Sequence, residues 1–519
     1  MKVSLRNNNK IGFLLLSAVL CFTTLIHSEY SHAAKSGAAK KRKKGRIGMR
    51  MSAPSMNDQC FMDYEDDKKQ ITGGASEKKF QLASTSKLAT SYWALKKWGP
   101  NYRFTTRFHV YNINGTTADV HIEGGKDPFF GRGMGYFVIS EFVSKLGITN
   151  VRNLTFDENF KIFLNVMDYQ KKITAQDAKT FYKSPQQVKI VLNEFLQGSI
   201  NKDKYIAISE KSKRINGFSF DRNVRFNVEN IDYLNSQQFE KTHDVNVVKN
   251  ENIYEIKSAP LYRALKEMNL HSHNYIADMI YLAVSGVDLS NPNFDGLLSA
   301  ASQKFAPFIK SSLDLDASDI AFVNGDGDAK RTASGKVYNM ATCRAMLEII
   351  GGLKSLLGKS DMDLEDVMAV SGVEQSTLGM RYVGIPGLVI AKTGTVANAV
   401  TLAGQLNTKD GEILFVYMTH TNGMGQSNKA RDLIKKQVVG KIREHDGGDP
   451  VEYESAGFLP FDRKSILVAV KENMPILNKN KKETEVPVKV AEVTDAVLLP
   501  NPEDQVGSGQ DQVVGMVIP

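Results

Sequence analysis

The sequence predicts an α/β (α+β) protein in which an inserted α+β module interrupts a larger domain of helices and strands. Two observations lead to this prediction. Apolar residues make up 42% of the 519 residues and aromatic residues 9%, which is enough for a sizeable globular core. Helical and strand-like patterns alternate along the chain, and the stretch 148–255 is mixed, rich in lysine and asparagine and without a detectable repeat. A chain of this length has room for two or three domains.

The N-terminus has the layout of a secretory signal peptide, which we place at residues 1–34. Lys2 and Arg6 precede an apolar run over 11–26, and Ala33-Ala34 supplies small residues at the expected cut. The run is shorter than the roughly 20 residues that span a bilayer. We therefore expect a periplasmic protein that is secreted with cleavage of its signal, and a retained anchor is the alternative.

Residues 35–50 contain eight lysines and arginines and are predicted to form a basic, disordered arm. A second interpretation is that the arm contacts anionic envelope polymers or lipid head groups, so that membrane contact is at most peripheral. The rest of the chain is close to neutral. This balance predicts no nucleic-acid partner.

The larger domain is predicted to comprise residues 51–99 and 256–445. Its first part contains strand patterns that lead into a helix ending at Gly99-Pro100. Its second part is strongly helical and then forms a hairpin around an Asp410-Gly411 turn. The predicted strands lie at 59–64, 79–82, 388–391, 400–406 and 413–419, and the predicted helices at 260–269, 274–284, 294–305, 340–357 and 430–443. Gly351-Gly352 is a potential break in the fourth of these helices.

The inserted module is placed at residues 100–255 and the last segment at 446–519. In the module, strand patterns occupy 104–111, 118–123 and 245–256, and helical patterns occupy 137–146, 175–182 and 185–196. The last segment has paired glycines, scattered prolines and a polar end. Its composition predicts a largely disordered tail.

A Ser-x-x-Lys spacing, Ser84 to Lys87, stands where a polar turn meets the first helix. Residues three apart share one face of a helix, so the hydroxyl and the amine are expected side by side. This arrangement allows a lysine to act as base to a serine nucleophile. Alone the signal is weak, because a serine at a helix start is commonly an N-cap.

Two further motifs follow in order along the chain. Ser272-His273-Asn274 precedes a predicted helix, and Lys392-Thr393-Gly394-Thr395 lies on a predicted strand. Ser-x-x-Lys, Ser-x-Asn and Lys-Thr-Gly in this order are the set found in penicillin-recognising serine enzymes. The three together are a strong signal, because each lies in its expected element.

Each residue of the set has a predicted role in the chemistry. Ser84 is the nucleophile, Lys87 its base if burial and nearby cations lower its pKa, and Ser272 a proton relay. Asn274 can hold both Lys87 and a substrate amide. The substrate-binding residues are predicted to be Lys392, Thr393, Gly394 and Thr395. Backbone N–H groups of Ser84 and Thr395 are expected to form the oxyanion hole.

With these motifs, the chain resembles the class C low-molecular-mass penicillin-binding proteins of the penicillin-binding protein 4 type. The segments around Trp98–Thr106, Gly124–Pro128 and Gly372–Arg381 add to the likeness, which covers about residues 55–440. The resemblance implies a serine β-lactamase/D,D-peptidase-like domain with an antiparallel sheet flanked by helices and an all-helical subdomain. It also implies a serine D-alanyl-D-alanine carboxypeptidase or endopeptidase that acts on peptidoglycan stem peptides and is acylated by β-lactams.

The chain departs from the family pattern in two places. The gap of 185 residues between Lys87 and Ser272 is long for a β-lactamase and short for relatives with two inserted domains. We expect the outer domain to be missing or trimmed, which would open the cleft to polymeric substrate. At 324–328 the sequence is Asn-Gly-Asp-Gly-Asp, where the family usually has an Asp-Gly-Ser-Gly-Leu-type turn. The geometry of that turn is therefore in question.

Cysteine and histidine content predicts no metal centre and no cofactor. The nine histidines show no ligand spacing such as His-Glu-x-x-His. Cys60 and Cys343 are the cysteines that remain after signal removal. The sequence favours two free, buried thiols and leaves a disulfide between them open.

Three alternatives remain open on the sequence alone. A β-lactamase would share the motifs, although the long insertion argues against it. A non-catalytic wall-binding or β-lactam-sensing protein would share the fold, although the intact motifs argue against that. Carboxypeptidase and endopeptidase activity are not distinguished by the sequence.

Overall fold

The structure is a computed structural model that describes residues 59–65, 70–74, 77–162, 185–196, 201–243, 245–291, 293–332, 335–455 and 457–473. The predicted signal peptide, the basic arm, the predicted helix at 175–182 and the end of the predicted tail from 474 lie outside these residues. Among the described helices, none combines the length and the apolar composition of a membrane span.

The described ranges contain strands and helices that alternate irregularly along the chain. The strands are β1 Gln59–Glu65, β2 Gln70–Gly73, β3 Lys79–Gln81, β4 Thr105–Asn114, β5 Thr117–Glu123, β6 Asn150–Phe156, β7 Asn227–Tyr233, β8 Asn252–Lys257, β9 Ile320–Ala321, β10 Lys330–Thr332, β11 Gly335–Val337, β12 Met340–Thr342, β13 Ala369–Val370, β14 Val389–Val396, β15 Ala399–Thr408, β16 Gly411–His420 and β17 Val468–Lys471. The α-helices are α1 Ser86–Trp98, α2 Arg132–Glu141, α3 Pro185–Leu196, α4 Lys202–Asn216, α5 Ser236–Thr242, α6 Val245–Lys249, α7 Leu261–His271, α8 Asn274–Ser285, α9 Phe294–Leu313, α10 Cys343–Gly358 and α11 Ser427–Glu444.

The larger domain is built on an antiparallel sheet with the strand order β13-β14-β15-β16-β1-β2. Successive residues of a strand point to opposite faces, and here both faces are covered. Along β16, Phe415 and Tyr417 pack with the apolar stripe of α11. Leu414 and Val416 on the other face join the core that contains α1 and α10. Burial on both sides explains the continuous apolar run at 413–418 in β16, and β15 is likewise buried along its whole length although it includes polar residues.

The helical part of this domain packs around α8, in which every residue from Tyr275 to Ser285 is buried. Helix α10 runs unbroken through Gly351-Gly352, contrary to the potential break. A Cβ at Gly352 would lie 2.7 Å from a ring carbon of Tyr92. This glycine therefore makes room for an aromatic ring of α1 and does not end the helix.

The inserted module has its own sheet, in the order β17-β8-β4-β5-β6-β7, and its own hydrophobic core. β4 pairs antiparallel with β5 and β8, whereas β6 pairs parallel with β5 and β7. The strand predicted at 245–256 is wrong in its first half, because Val245–Lys249 is helical. The strand begins at Asn252, where pairing with Val110 of β4 starts.

The prediction of a largely disordered tail is wrong for its first part. Leu459, Phe461 and Leu467 are buried in the core of the inserted module. The ring of Phe461 stacks on Phe137 with 4.6 Å between centroids, and β17 extends the module sheet by pairing with β8. This part of the segment carries two short apolar clusters, at 458–461 and 466–470, and these supply the residues that join a core and a strand edge formed elsewhere in the chain.

The two cysteines are joined in a disulfide, which corrects the preference for free thiols. Cys60 lies in β1 and Cys343 is the first residue of α10. The bond connects the sheet to the helix that covers it and closes a loop of 283 residues. Closure of a long loop restricts the unfolded chain and so stabilises the fold.

Candidate active site

Ser84 lies in a tight turn between β3 and α1. Ala83, just before it, has a φ of +49°, and Ala83–Thr85 form a single 3₁₀ turn. The carbonyl of Leu82 accepts hydrogen bonds from the Thr85 hydroxyl at 2.6 Å and from the Thr401 hydroxyl at 2.9 Å. Between Leu82 and Leu95, Ser84 alone keeps partial exposure. The turn thus presents one hydroxyl to solvent at the start of a buried helix.

Lys87 is the residue that brings the first two motifs together. Its Nζ donates to Ser84 Oγ at 3.1 Å and to Asn274 Oδ1 at 2.8 Å. The third bond goes to the backbone carbonyl of Asp326 at 2.8 Å. An ammonium has three donors and no acceptor, so these bonds satisfy it completely. The predicted neighbourhood of Ser84, Lys87 and Asn274 is present as expected.

The position of Lys87 also changes its acidity. The side chain is fully buried, and burial lowers the pKa of Lys87 to about 8. The carboxylates of Asp326, Asp278 and Asp328 act in the opposite direction and raise this pKa. Burial is therefore the main cause of the lowered pKa, as the charged form loses its hydration.

The unusual turn at 324–328 holds its shape through its own polar side chains. Asn324 Oδ1 accepts from the Gly327 N–H at 3.0 Å, and Asp326 Oδ1 accepts from the Asp328 N–H at 2.8 Å. The bond to Lys87 uses the carbonyl of Asp326. The serine of the usual family turn is thus not required for this contact.

Asp278 anchors the same turn from helix α8. It lies one turn beyond Asn274, and its buried carboxylate accepts from the backbone N–H groups of Gly325 at 2.9 Å and Asp326 at 3.1 Å. We did not predict this residue. Its spacing of four from Asn274, on the same face of an otherwise apolar helix, was the available signal.

Ser272 is placed by the junction of two helices. It is the C-cap of α7 in the left-handed conformation, with φ +59° and ψ +42°, and α8 begins at Asn274. The reversal lets the chain turn sharply between the helices. The Ser272 hydroxyl accepts a hydrogen bond from Lys392 Nζ at 3.0 Å. The second and third motifs therefore meet through this bond.

Lys392 is the second buried ammonium of the site. Besides Ser272, it donates to the carbonyl of Thr393 at 2.8 Å. Burial, and then the positive charges of Lys87 and Arg381, hold the pKa of Lys392 well below its usual value. The predicted positive charge is therefore destabilised in this structure, and an anion bound beside it would raise the pKa again.

Gly394 lies where β14 meets the nucleophile turn. A Cβ at this position would stand 2.2 Å from the Thr401 hydroxyl and 2.8 Å from the Leu82 carbonyl. β13 pairs with β14 only at Ile390 and Ala391. In the described part of the chain, no strand pairs with the outer edge of β14 beyond Ala391. This edge is therefore available for the backbone of an extended peptide.

The two threonines of the third motif are held by residues that the prediction missed. The Thr393 hydroxyl donates to Thr377 Oγ1 at 2.9 Å, and Arg431 of α11 donates to Thr395 Oγ1 at 3.4 Å. Arg381 lines the same cavity as Arg431. Burial, and then the charge of Arg431, lower the pKa of Arg381. Three cationic side chains thus surround this end of β14.

All eight predicted site residues lie in one connected region. Two buried amines connect the three motifs, and strand β14 lies against the turn that carries Ser84. This combination of fold and site defines a serine peptidase of the penicillin-recognising class. The family model named D-Ala-D-Ala carboxypeptidase 3 (S13) family matches residues 59–249 and 241–444. The chain belongs to this family, which confirms the predicted family and enzyme class, a serine D,D-peptidase.

Solved structures of similar proteins agree with this assignment. The predatory endopeptidase Bd3459 of Bdellovibrio bacteriovorus, in complex with the immunity protein Bd3460, is 33% identical, with a TM-score of 0.69 over 80% of this chain and 99% of that chain. Bd0816 of the same organism, also a predatory endopeptidase in complex with Bd3460, is 31% identical, with a TM-score of 0.68 over 79% and 99%. A penicillin G-acylated form of Bd3459 matches at 33% identity and a TM-score of 0.67, over 80% and 99%. A search of curated protein sequences gave no match.

Replacing Gly394 by alanine is expected to slow acylation by penicillin about a hundredfold, which is the usual cost of losing one oxyanion donor. The added Cβ would push β14 away from the nucleophile turn. The N–H of Thr395, an expected oxyanion donor, would move away with the strand. The measurement is the rate at which a fluorescent penicillin labels the protein. Gly440→Ala in α11 is the control, because nothing lies within 4 Å of its new Cβ. A Gly394→Ala protein that is labelled within twofold of the wild-type rate would contradict the role of this contact.

The rate of penicillin labelling should increase with pH up to about 8 and then level off. Only the neutral amine of Lys87 can accept a proton, and its lowered pKa leaves about one molecule in ten in that form at pH 7. Below this pKa the rate should change about tenfold per pH unit. The labelling rate is measured from pH 5.5 to 9, with thermal melting at each pH to verify folding. A flat profile between pH 6 and 8 would refute Lys87 as the base.

Proposed function

We propose that this protein is a penicillin-sensitive peptidoglycan D,D-peptidase that uses Ser84 as its nucleophile and cleaves cross-links as an endopeptidase. One observation carries most of the argument: the buried amine of Lys87 contacts both Ser84 Oγ and Asn274 Oδ1. A serine hydroxyl needs such a base, because it is a weak nucleophile at its own pKa.

In the acylation step, Ser84 Oγ attacks the carbonyl carbon of the D-alanine on the acyl side of the scissile bond. Neutral Lys87 takes the hydroxyl proton, and the carbonyl oxygen becomes an oxyanion. The backbone N–H groups of Ser84 and Thr395 are the proposed donors to this oxygen. Collapse of the tetrahedral intermediate breaks the C–N bond and leaves an acyl-enzyme ester on Ser84.

The leaving amine must receive a proton as that bond breaks. Ser272 is suited to this transfer, because its hydroxyl accepts from Lys392 at 3.0 Å and has its own proton to donate. Asn274 contributes differently, since its carbonyl oxygen holds Lys87 and its amide group remains able to contact the substrate. Ser272 regains a proton from protonated Lys87, so the relay passes the Ser84 proton to the leaving amine and leaves Lys87 neutral again. Water then attacks the ester carbonyl and Lys87 accepts its proton. Lys87 returns that proton to Ser84 Oγ as the ester C–O bond breaks, which regenerates Ser84.

A carboxylate beside the scissile bond is the chemical feature that the site is suited to recognise. Three cationic side chains act on one another at this end of β14, namely Lys392, Arg381 and Arg431, and Arg431 contacts Thr395. Within the described part of the chain, no acidic side chain contributes to the shifted pKa of Lys392. Free D-alanine and the D-centre of a cross-linking diamino acid both carry an α-carboxylate next to the departing nitrogen. The cationic end of β14 therefore supports either substrate.

The preference for cross-links rests on the comparisons. The similar structures at 31–33% identity are described as predatory endopeptidases, and one of them as a peptidoglycan endopeptidase. This chain aligns with 99–100% of their length, with a single sheet in its described insertion. Carboxypeptidase activity on uncross-linked stems remains the second outcome of the test below.

The test is digestion of purified sacculi followed by separation of the muropeptides. We expect cross-linked dimers to decrease with the wild-type protein and to persist with Ser84→Ala. Release of free D-alanine without loss of dimers would replace the endopeptidase assignment by carboxypeptidase activity. Rapid turnover of a chromogenic cephalosporin would point instead to a β-lactamase.

Labelling by fluorescent penicillin tests the nucleophile, and Ser86→Ala is the matched control variant. Ser86 is two residues further on, and its buried hydroxyl has no hydrogen-bond partner among the residues that the structure describes. Ser86→Ala should therefore keep its label while Ser84→Ala loses it. Equal labelling of wild type and Ser84→Ala would overturn the proposed nucleophile.

A further inference from the structure

A second cluster of chemically active side chains lies in the inserted module, outside the peptidase site. His109 is on β4, His243 follows the end of α5, and Glu251 immediately precedes β8. Glu251 Oε1 is 2.8 Å from His109 Nδ1 and 2.7 Å from His243 Nε2. The three ligand-type atoms lie within 4.8 Å of one another. Two imidazoles therefore converge on one carboxylate oxygen.

The second ring nitrogen of His109 also faces a carboxylate, and this bears on the protonation of the contact with Glu251. Its Nε2 faces Glu123 Oε2 at 3.3 Å. If this nitrogen carries the proton and donates to Glu123, the lone pair of Nδ1 points at the lone pairs of Glu251 Oε1. A cation must then lie between them, either a second proton or a metal ion. A carboxylate behind a histidine is the usual support of a metal-ligating imidazole, because it sets the tautomer and orients the ring.

Neighbouring residues hold the cluster in place. Phe239 of α5 stacks on the ring of His121 with 3.7 Å between centroids and lies 3.9 Å from the ring of His243. Glu251 is buried, whereas the two histidines keep some exposure. The site is thus rigid on its inner side and reachable from solvent on its outer side.

We propose that His109, His243 and Glu251 bind a Zn²⁺ ion. Two imidazole nitrogens and one carboxylate oxygen are a common zinc donor set, and a water would complete the tetrahedron. Donor atoms of a tetrahedral zinc site are about 3.3 Å apart, so each contact to Glu251 needs to widen by about half an ångström and the two imidazole nitrogens, which lie within 4.8 Å of each other, need to adjust to the same spacing. The glutamate and His243 lie at the ends of elements, where this adjustment is small.

The ion would have a structural role. It would tie the chain between α5 and β8 to the central strand β4. Lys471 of β17 lies 3.5 Å from Glu251 Oε2, so the carboxylate has one oxygen for the ion and the other for the lysine. The site therefore connects β17 to the same point of the module.

Zinc content of the untagged, full-length protein tests the proposal. The protein is incubated with Zn²⁺, desalted and analysed by mass spectrometry for metal content. About one zinc per chain is expected for wild type, with loss of most of it in His243→Ala and Glu251→Gln. The control is His445→Gln, because His445 also lies between carboxylates, Glu65 and Asp410, but has no second histidine beside it.

Two further measurements separate zinc binding from misfolding and from the peptidase proposal. The melting temperature of wild type should increase with added Zn²⁺, and that of the two site variants should not. Labelling of Ser84 by fluorescent penicillin should be unchanged in these variants, which reports that they are folded. Zinc content independent of the substitutions, or no zinc retained by wild type, would overturn the proposal. Neither zinc result depends on whether the protein cleaves peptidoglycan.

Discussion

The burial of the Lys87 ammonium is the constraint on which the rest of the site depends. Removing a charged amine from water costs several kcal/mol unless its donors are satisfied. The three acceptors come from the turn before α1, the start of α8 and the turn at 324–328, which are distant in sequence but adjacent in space. The same burial lowers the pKa of the amine to about 8. One packing arrangement thus holds three segments together and makes the base.

A second group of cations prepares the site for an anion. Lys392 and Arg381 have lowered pKa values because both are buried and each lies near another positive charge. A substrate carboxylate would relieve this repulsion. Part of the binding free energy would therefore come from offsetting the electrostatic cost of keeping these cations buried side by side. The edge of β14 beside Gly394 would align the substrate backbone with Ser84. Substrate recognition and nucleophile activation are therefore linked through Lys87 and Lys392.

The sequence was most informative where chemistry depends on short spacing. Ser84 with Lys87, Ser272 with Asn274, and Lys392 to Thr395 were predictable because a helix turn or a strand fixes their geometry, and the order of the motifs indicated the fold. Contacts between distant segments were not predictable. The Asp326 carbonyl has no side-chain signature, and Cys60 and Cys343 are 283 residues apart. Phe461 stacks on Phe137, which lies far earlier in the chain, and His109 is 142 residues from Glu251.

The most direct test of the central claim is the rate of Ser84 acylation in Lys87→Met. Methionine keeps most of the buried volume of lysine and removes the amine. If the amine is the base, labelling by fluorescent penicillin at pH 8 should be about a thousandfold slower than in wild type. Thermal melting verifies that the variant is folded. A folded Lys87→Met protein that is acylated within tenfold of the wild-type rate would contradict the account.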